Sequence, residues 1–452
     1  MDRIRFLLNG TRNPVQVAVT APRAVEKVVP HAYDGCPDER APAGRHNVSR
    51  SFEAVKISDR VWWVGAVDWG VRDFHGYATT RGTTYNAYLV LADKVTLIDT
   101  VKAPFLDEMM ARIASVVEPS RIDYIISNHS EMDHTGCLPQ VMAAAGPEKL
   151  FASKNGAEAL EAHFRLGGRV TPVADGETLR LGSAGVTFVE TRMLHWPDSM
   201  VSYLAGDGIL FSQDGFGMHL ASTERFADQI PADVLRYEAA KYYANILLPF
   251  SALVTKTIAR LKGLNLPLAM IAPDHGPIYR EDLGWIIDLW ARWAEQKPTG
   301  KAVVAFDTMW GSTDAMARAV ADGLLAGGAA TVKVMPLASC HRSDVATELL
   351  EAGALLVASP TLNSQMFPTV ADLLVYLEGL KPRNLVGAAF GSYGWSGEAV
   401  AKIEEWLTRM KVDLVAEPVK VRYVPDGGAL AACRTLGRKV GEALGGRCAD
   451  LG

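Results

Sequence analysis

A chain of 452 residues is long for one hydrophobic core and predicts two or three domains, with two the expectation here. With 49% apolar and 21% charged residues and 23 prolines, the composition is globular, which excludes disordered and fibrous classes. A net charge of -5 without a basic, aromatic-interleaved run argues against nucleic acid, and no stretch reaches the ~18 apolar residues that cross a bilayer, so no membrane partner and a cytoplasmic location are expected.

The first fifty residues hold Arg3, Arg5, Arg12 and Arg23 with few acids; they weakly resemble a transit peptide but read as a plain N-terminal extension, residues 1–50. Strands are predicted at Val61–Val64, Tyr85–Leu91 and Val95–Ile98, with turn residues Ala92-Asp93-Lys94 making a hairpin of the last two. Helical and strand patterns then alternate up to a long helical stretch from about Pro231 to Leu261. A further helix carries Trp285, Leu289 and Trp293 at four-residue spacing, a stripe that reads as core packing. The pattern breaks at Gln296–Gly300, which places a domain boundary between 297 and 298. Beyond it, apolar strands at about 302–306, 331–335, 354–358 and 386–390 alternate with helices, as in a parallel doubly wound sheet. Five scattered cysteines without a C-x-x-C pair encode neither a disulfide framework nor a rubredoxin-type or iron–sulfur site.

Two constellations carry chemistry. Strand Tyr124-Ile125-Ile126 runs into His129-Ser130-Glu131-Met132-Asp133-His134, four potential metal ligands within six residues. In an extended segment alternate residues point the same way, so His129 and Glu131 suit one ion, while a tightening loop turns Asp133 and His134 toward a second. Two ions need more ligands, and His195, Asp214 and His275 lie at the ends of later strand-like segments. The run, with the later His-Trp-Pro-Asp-Ser, Ser-Gln-Asp-Gly-Phe and Asp-His-Gly segments, resembles the diiron domain of flavo-diiron proteins, the A-type flavoproteins. Upstream Phe74-His75-Gly76-Tyr77 and Gly82-Thr83-Thr84-Tyr85-Asn86 resemble that family too.

The resemblance implies a metallo-β-lactamase-like αβ/βα sandwich over 51–297. It implies that His129, Glu131 and His195 bind one iron, that Asp133, His134 and His275 bind the other, and that Asp214 bridges them. Hydrolases of this fold typically carry a histidine where this chain has Glu131, and the added hard carboxylate suits iron or manganese better than zinc. By the same resemblance His75 lies close to the metals, as a proton relay or pocket residue, with a structural hydrogen-bonding role as the alternative. Asp99 is expected to organise the ligand loop rather than bind metal. His163 and His219 lack supporting neighbours and read as structural.

The second constellation follows strand 302–306. Thr308-Met309-Trp310-Gly311-Ser312-Thr313 forms a hydroxyl-rich turn entering a helix, where backbone N–H groups and the helix dipole favour a monophosphate. There is no G-x-G-x-x-G and no Walker lysine, which argues against a dinucleotide or a triphosphate. Pro360-Thr361-Leu362-Asn363 and Ser392-Tyr393-Gly394-Trp395 follow later strands, and in a sheet ordered 2-1-3-4-5 all three loops meet at the switch point where FMN binds. Order and turns resemble flavodoxin over 298–447, with the last two loops bordering the isoalloxazine ring. Trp310 and Trp395 are candidates to stack on it, with ordinary packing as the alternative.

Together the halves resemble flavo-diiron proteins over about 51–445. The fold class expected is α/β, a lactamase-like sandwich followed by a flavodoxin-like parallel sheet. The activity implied is reduction of dioxygen to water, nitric oxide to nitrous oxide, or both, at two irons fed by FMN. Electrons would come from an external rubredoxin, ferredoxin, reduced deazaflavin or reductase, within a head-to-tail homodimer or a dimer of dimers. Two other readings compete: a metal-dependent hydrolase with a regulatory flavodoxin domain, and a non-catalytic electron carrier or gas sensor.

Overall fold

The computed structural model describes residues 52–451, so the expected N-terminal extension lies outside it. The first half opens with short strands β1 (Val55–Lys56), β2 (Val61–Trp63), β3 (Ala66–Asp68), β4 (Asp73–Phe74), β5 (Tyr77–Ala78), β6 (Thr83–Tyr85), β7 (Tyr88–Val90) and β8 (Thr96–Ile98). Helix α1 (Leu106–Ala114), strand β9 (Tyr124–Ser127), the single turn α2 (Met132–Thr135), α3 (Leu138–Ala145), β10 (Lys149–Ser153), α4 (Lys154–Phe164) and β11 (Val170–Val173) follow. Strands β12 (Thr178–Arg180), β13 (Gly185–Glu190), β14 (Met200–Leu204) and β15 (Ile209–Gln213) then lead through α5 (Ala232–Tyr242) and α6 (Ser251–Gly263) to β16 (Met270–Pro273) and α7 (Leu283–Glu295).

These strands make a seven-stranded sheet, β1-β2-β7-β8-β9-β10-β11, and a five-stranded sheet, β12-β13-β14-β15-β16. Alternation assigns the faces. Tyr88, Val90, Ile98 and Ile126 meet Phe188, Leu204 and Phe211 in a core between the sheets, while Leu89, Leu97 and Ile125 face helices α1 and α3. Helices α5 to α7 cover the second sheet, and Leu289 and Trp293 are buried there, as the stripe predicts. The result is two sheets face to face between two helical layers.

The predicted strand Tyr85–Leu91 is two strands, because the chain changes partners at Asn86-Ala87: β6 pairs with β3, and β7 with β2 and β8. The helical stretch after Pro231 also divides, passing through a wide turn at Tyr243–Leu247 and a tight one at Leu248–Phe250 where Pro249 interrupts hydrogen bonding.

The second half is a parallel sheet. Its elements are β17 (Thr299–Phe306), α8 (Ser312–Ala326), β18 (Thr331–Pro336), α9 (Arg342–Leu349), β19 (Ala352–Ala358), α10 (Pro368–Leu380), β20 (Val386–Tyr393), α11 (Ala399–Arg409), β21 (Asp413–Leu414), β22 (Val419–Arg422) and α12 (Gly427–Leu451). The order β18-β17-β19-β20-β21, with β22 also on β20, is the 2-1-3-4-5 arrangement with a split last strand. Strand β20 runs three residues past the predicted 386–390 because β22 pairs with Phe390–Tyr393. The central strands are buried on both faces, which is why they read as continuous apolar runs.

Candidate metal centre and flavin-binding edge

All seven sequence-predicted ligands converge at one edge of the sandwich. His129 follows β9, Asp133 and His134 sit on α2, and Asp214 directly follows β15. His275 lies just past the end of β16, beyond Asp274, and His195 lies not at a strand end but midway along the loop between β13 and β14. His195 Nε2 lies 3.1 Å from Glu131 Oε2 and 2.9 Å from Asp214 Oδ2, and His129 Nε2 is 3.2 Å from that same Asp214 oxygen. On the other side His275 Nε2 is 3.2 Å from Asp133 Oδ2 and 3.0 Å from His134 Nε2. Asp214 Oδ1 faces that group, 3.5 Å from His275 and 3.6 Å from His134. The two oxygens of one carboxylate thus address two separate donor sets.

Whether the donors fit two cations is decided by how they are satisfied. Both oxygens of Asp133, Asp214 Oδ1 and His129 Nε2 are buried without a well-aligned hydrogen-bond partner among the described residues. Buried polar atoms are normally paired, so a group of orphans aimed at a common centre fits metal ions. Spacings near 3 Å are those of atoms sharing an ion at bond lengths of about 2.1 Å.

The electrostatics agree. Burial alone would raise the Asp214 carboxyl, but the His129 charge and the close approach of His129 and His195 hold it well below the usual carboxylate range. Burial likewise opposes the His195 imidazolium, yet contact with Asp214 and Glu131 pushes it up to about 9. Glu131, against its own burial, is held low by His195 and His75. Without cations the cluster therefore retains protons that bound metals must displace.

Backbone architecture fixes the ligands. Asp99, left-handed at φ 55, accepts from the Asn128 amide (2.7 Å) and side chain (2.6 Å), tying β8 to the start of the ligand loop, as expected of it. Thr100 bonds the His134 carbonyl, and Thr135 those of Ser130 and Glu131. The segment Gly82–Asn86 girds the last ligand loop: Asn86 Nδ2 donates to the Pro273 and Gly276 carbonyls, and the Thr84 carbonyl sits 2.6 Å from His275 Nδ1. That bond leaves His275 Nε2 free for a metal.

His75 lies on the two-residue loop between β4 and β5, left-handed with Gly76 at φ 52 and 84, the primed form of a hairpin turn. Its Nε2 is 2.7 Å from Glu131 Oε1, and that hydrogen bond raises its basicity.

Sequence reasoning missed three residues. Asp274 is fully buried, its Oδ2 3.7 Å from His129 Nδ1 and 3.8 Å from His134 Nδ1, behind both imidazoles. Its only signal was adjacency to His275. His219, read as lacking neighbours, in fact packs 4.5 Å from His275 and 4.4 Å from Phe74 between ring centroids, and burial holds it neutral. Tyr242, buried beside His219, closes the same wall. His163 stays remote from the cluster, against Phe164 and Trp196.

At the second half's edge, Thr308 to Gly311 turn between β17 and α8, and Ser312 and Thr313 open the helix, with Gly311 at φ 85. The Thr308 hydroxyl accepts from the Gly311 amide (3.1 Å). Thr313 Oγ1 meets Ser392 Oγ at 2.9 Å, and the Thr361 amide donates to the Ser392 carbonyl at 2.9 Å, so the loops bearing all three segments are joined. Pro360 to Asn363 follow β19; Ser392 and Tyr393 end β20 rather than lying beyond it, and Gly394 and Trp395 follow. Trp310 and Trp395 are 90% and 84% exposed, which rules out core packing for either.

Comparison with known proteins agrees with this geometry. An "ODP family beta lactamase" model matches residues 83–276 and a flavodoxin model matches 304–437. The chain is 46% identical over 392 residues to the nitric oxide reductase of Moorella thermoacetica, covering 86% of this chain and 98% of that protein. It is also 46% identical over 397 residues to the rubredoxin-oxygen oxidoreductase of Megalodesulfovibrio gigas, covering 87% and 98%. Among solved structures, the rubredoxin oxygen:oxidoreductase from Desulfovibrio gigas is similar at TM-score 0.86, over 88% of this chain and all of that one (100%), at 46% identity. The flavodiiron protein from Giardia intestinalis gives TM-score 0.84 at 34% identity, over 88% and 98%. A lactamase-like sandwich with a two-cation donor set, followed by a flavodoxin sheet, matches these relatives in both halves, and the chain belongs to the flavo-diiron proteins, oxidoreductases with FMN and a diiron centre as cofactors.

Proposed function

We propose that this chain reduces dioxygen to water, nitric oxide to nitrous oxide, or both. The observation that carries the reading is the division of Asp214 between two donor sets. In this reading His129, Glu131 and His195 would hold one iron and Asp133, His134 and His275 the other, with Asp214 shared between the two donor sets. Glu131 supplies the hard oxygen donor that favours iron over zinc. Thr308, Met309, Trp310, Gly311, Ser312 and Thr313 hold the FMN phosphate, while Pro360–Asn363 and Ser392–Trp395 border its ring. The metal centre occupies residues 51–297 and the flavin domain 298–447.

When bound, reduced FMN would supply two electrons and the two irons one each, the four that dioxygen reduction requires, and the metals would supply Lewis-acid polarisation of the diatomic. The protein's own groups do the rest. His75 holds a proton at Nε2 against Glu131, placed to pass it toward the reacting gas. Phe74, His219 and Tyr242 form a packed wall beside His275 that limits water and suits a small apolar substrate. The exposed indoles of Trp310 and Trp395 suit an arrangement in which the flavin edge of one chain abuts the metal site of another, a head-to-tail homodimer or a dimer of such dimers. The donor is an external protein or small reductant such as rubredoxin, ferredoxin, reduced deazaflavin or a separate reductase. No described helix is long and apolar enough to cross a membrane, and a cytoplasmic location belongs to the same proposal.

Electrode assays with reduced rubredoxin, run separately with each gas on protein of known iron and flavin content, test the reading. Rapid consumption of either gas supports it. Consumption of neither, with thioester or ester hydrolysis instead, would refute it.

A further inference from the structure

The second half of the chain reaches into the first at the turn that carries His75. Three consecutive residues at the start of α9 make the crossing. Arg342 Nη2 donates to the Gly76 carbonyl at 2.8 Å, the Ala78 amide donates to Ser343 Oγ at 3.2 Å, and the buried Lys241 ammonium donates to Asp344 Oδ1 at 2.9 Å. The first two contacts grip the hairpin one and three residues beyond His75.

The hairpin has little else to hold its backbone. Strands β4 and β5 are two residues each and pair only with one another, and a lone two-stranded hairpin is marginal in water. Phe74 and Tyr77 anchor its inner side by burial, which sets its depth but not the orientation of its turn. Arg342 sets that orientation. Its Nη1 bonds both carboxylate oxygens of Asp372 on α10 at 2.8 and 2.9 Å, and its guanidinium lies 5.2 Å from the Tyr376 ring centroid. The Tyr376 hydroxyl donates in turn to Asn245 in the first half at 2.7 Å. A planar guanidinium fixed on one side by a carboxylate presents its remaining N–H in a defined direction. Gly76 is shaped to receive it: its φ is 84, and a Cβ there would lie 3.0 Å from Arg342 Nη2.

We propose that Arg342 and Ser343 are positioning residues of the metal site, through which the flavodoxin half holds, within the same subunit, the hairpin that sets His75 against Glu131. The flavin-bearing half thus has a second task besides carrying the cofactor. The inference rests on the gas-reductase reading only for what His75 does there; the holding itself is independent of it.

Hydrogen–deuterium exchange of the full-length protein reads the holding directly. Arg342→Ala is expected to speed exchange in the Asp73–Ala78 segment at least about tenfold while leaving Tyr124–Ser127 as in the wild type, with Arg342→Lys restoring much of the protection. Reoxidation by gas is expected to fall about tenfold in Arg342→Ala at unchanged iron and flavin content, and to fall no further when the substitution is added to His75→Ala. Should Arg342→Ala fail to fold, Ser343→Ala, which removes one acceptor, carries the same two measurements. Unchanged hairpin exchange in these variants, or additive losses in the double variant, would overturn the proposal. If the wild type itself reacted with neither gas, the functional reading would fall and the exchange result would still decide the positioning.

Discussion

Asp274 and Glu238 show how single buried carboxylates set the behaviour of this molecule. Asp274 stands behind His129 and His134, and groups that orient metal-bound imidazoles are typically worth 10- to 100-fold in affinity, so Asp274→Asn should lower iron affinity by about that much. Competition with a chelator at fixed pH would show it, and unaltered affinity would remove Asp274 from the site. Glu238, beside Arg81, is pushed up to about 7, chiefly by burial. A carboxyl whose pKa rises on folding binds its proton more tightly in the native state. Its contribution is therefore full below the unfolded pKa and is lost as pH climbs toward 7, a swing on the order of 3 kcal/mol. Glu238→Gln should match the wild type at pH 5 and resist urea better at pH 8; equal resistance at both values would contradict this. At this scale the seven candidate donors were legible because four fall within six residues, Asp214 and His275 lie just past strand ends, and His195 stands in a loop whose His-Trp-Pro-Asp-Ser sequence marks it. Asp274, His219 and Tyr242 were not, because their roles arise from burial and from packing between segments distant in sequence.

Elements were most readable where burial is symmetric. The central parallel strands β17, β19 and β20 are buried on both faces and announce themselves as apolar runs, whereas Tyr85–Leu91 reads as one strand and is two. Asn86 explains the break: its side chain caps the Pro273 and Gly276 carbonyls and accepts from Trp63 Nε1, so the segment there serves the ligand loop instead of continuing the ladder. The packing of α8 on α12 was also invisible in one dimension. A Cβ at Gly437 would lie 2.1 Å from the Val320 carbonyl oxygen, and one at Gly323 would lie 2.1 Å from that of Arg434. The two helices approach to backbone contact through reciprocal glycines. Gly437→Ala should therefore force them apart at a cost of about 2 kcal/mol, lowering the thermal midpoint of the flavin half and its FMN retention; a neutral substitution would show that the helices separate freely.

At the scale of the whole molecule, the two halves are joined by a shared apolar core in which Trp293 and Val345 both take part, and by the grip of α9 on the His75 hairpin. Domain order and the candidate residues of both cofactor sites could be read from sequence because each has a short local motif at its heart, His129 to His134 in one half and Thr308 to Thr313 in the other. The seam could not, since it is built from Arg342, Ser343 and Lys241, ordinary residues whose partners lie more than 100 positions away. The central claim is that FMN delivers electrons to the metal pair bridged by Asp214, where the gas is reduced. Stopped-flow mixing of anaerobically reduced protein with dioxygen, followed at the flavin absorbance and run with iron-loaded and iron-free forms, tests it most directly. Flavin reoxidation at about 10 per second or faster in the iron-loaded form alone is the predicted result, and equal rates in both forms would contradict it.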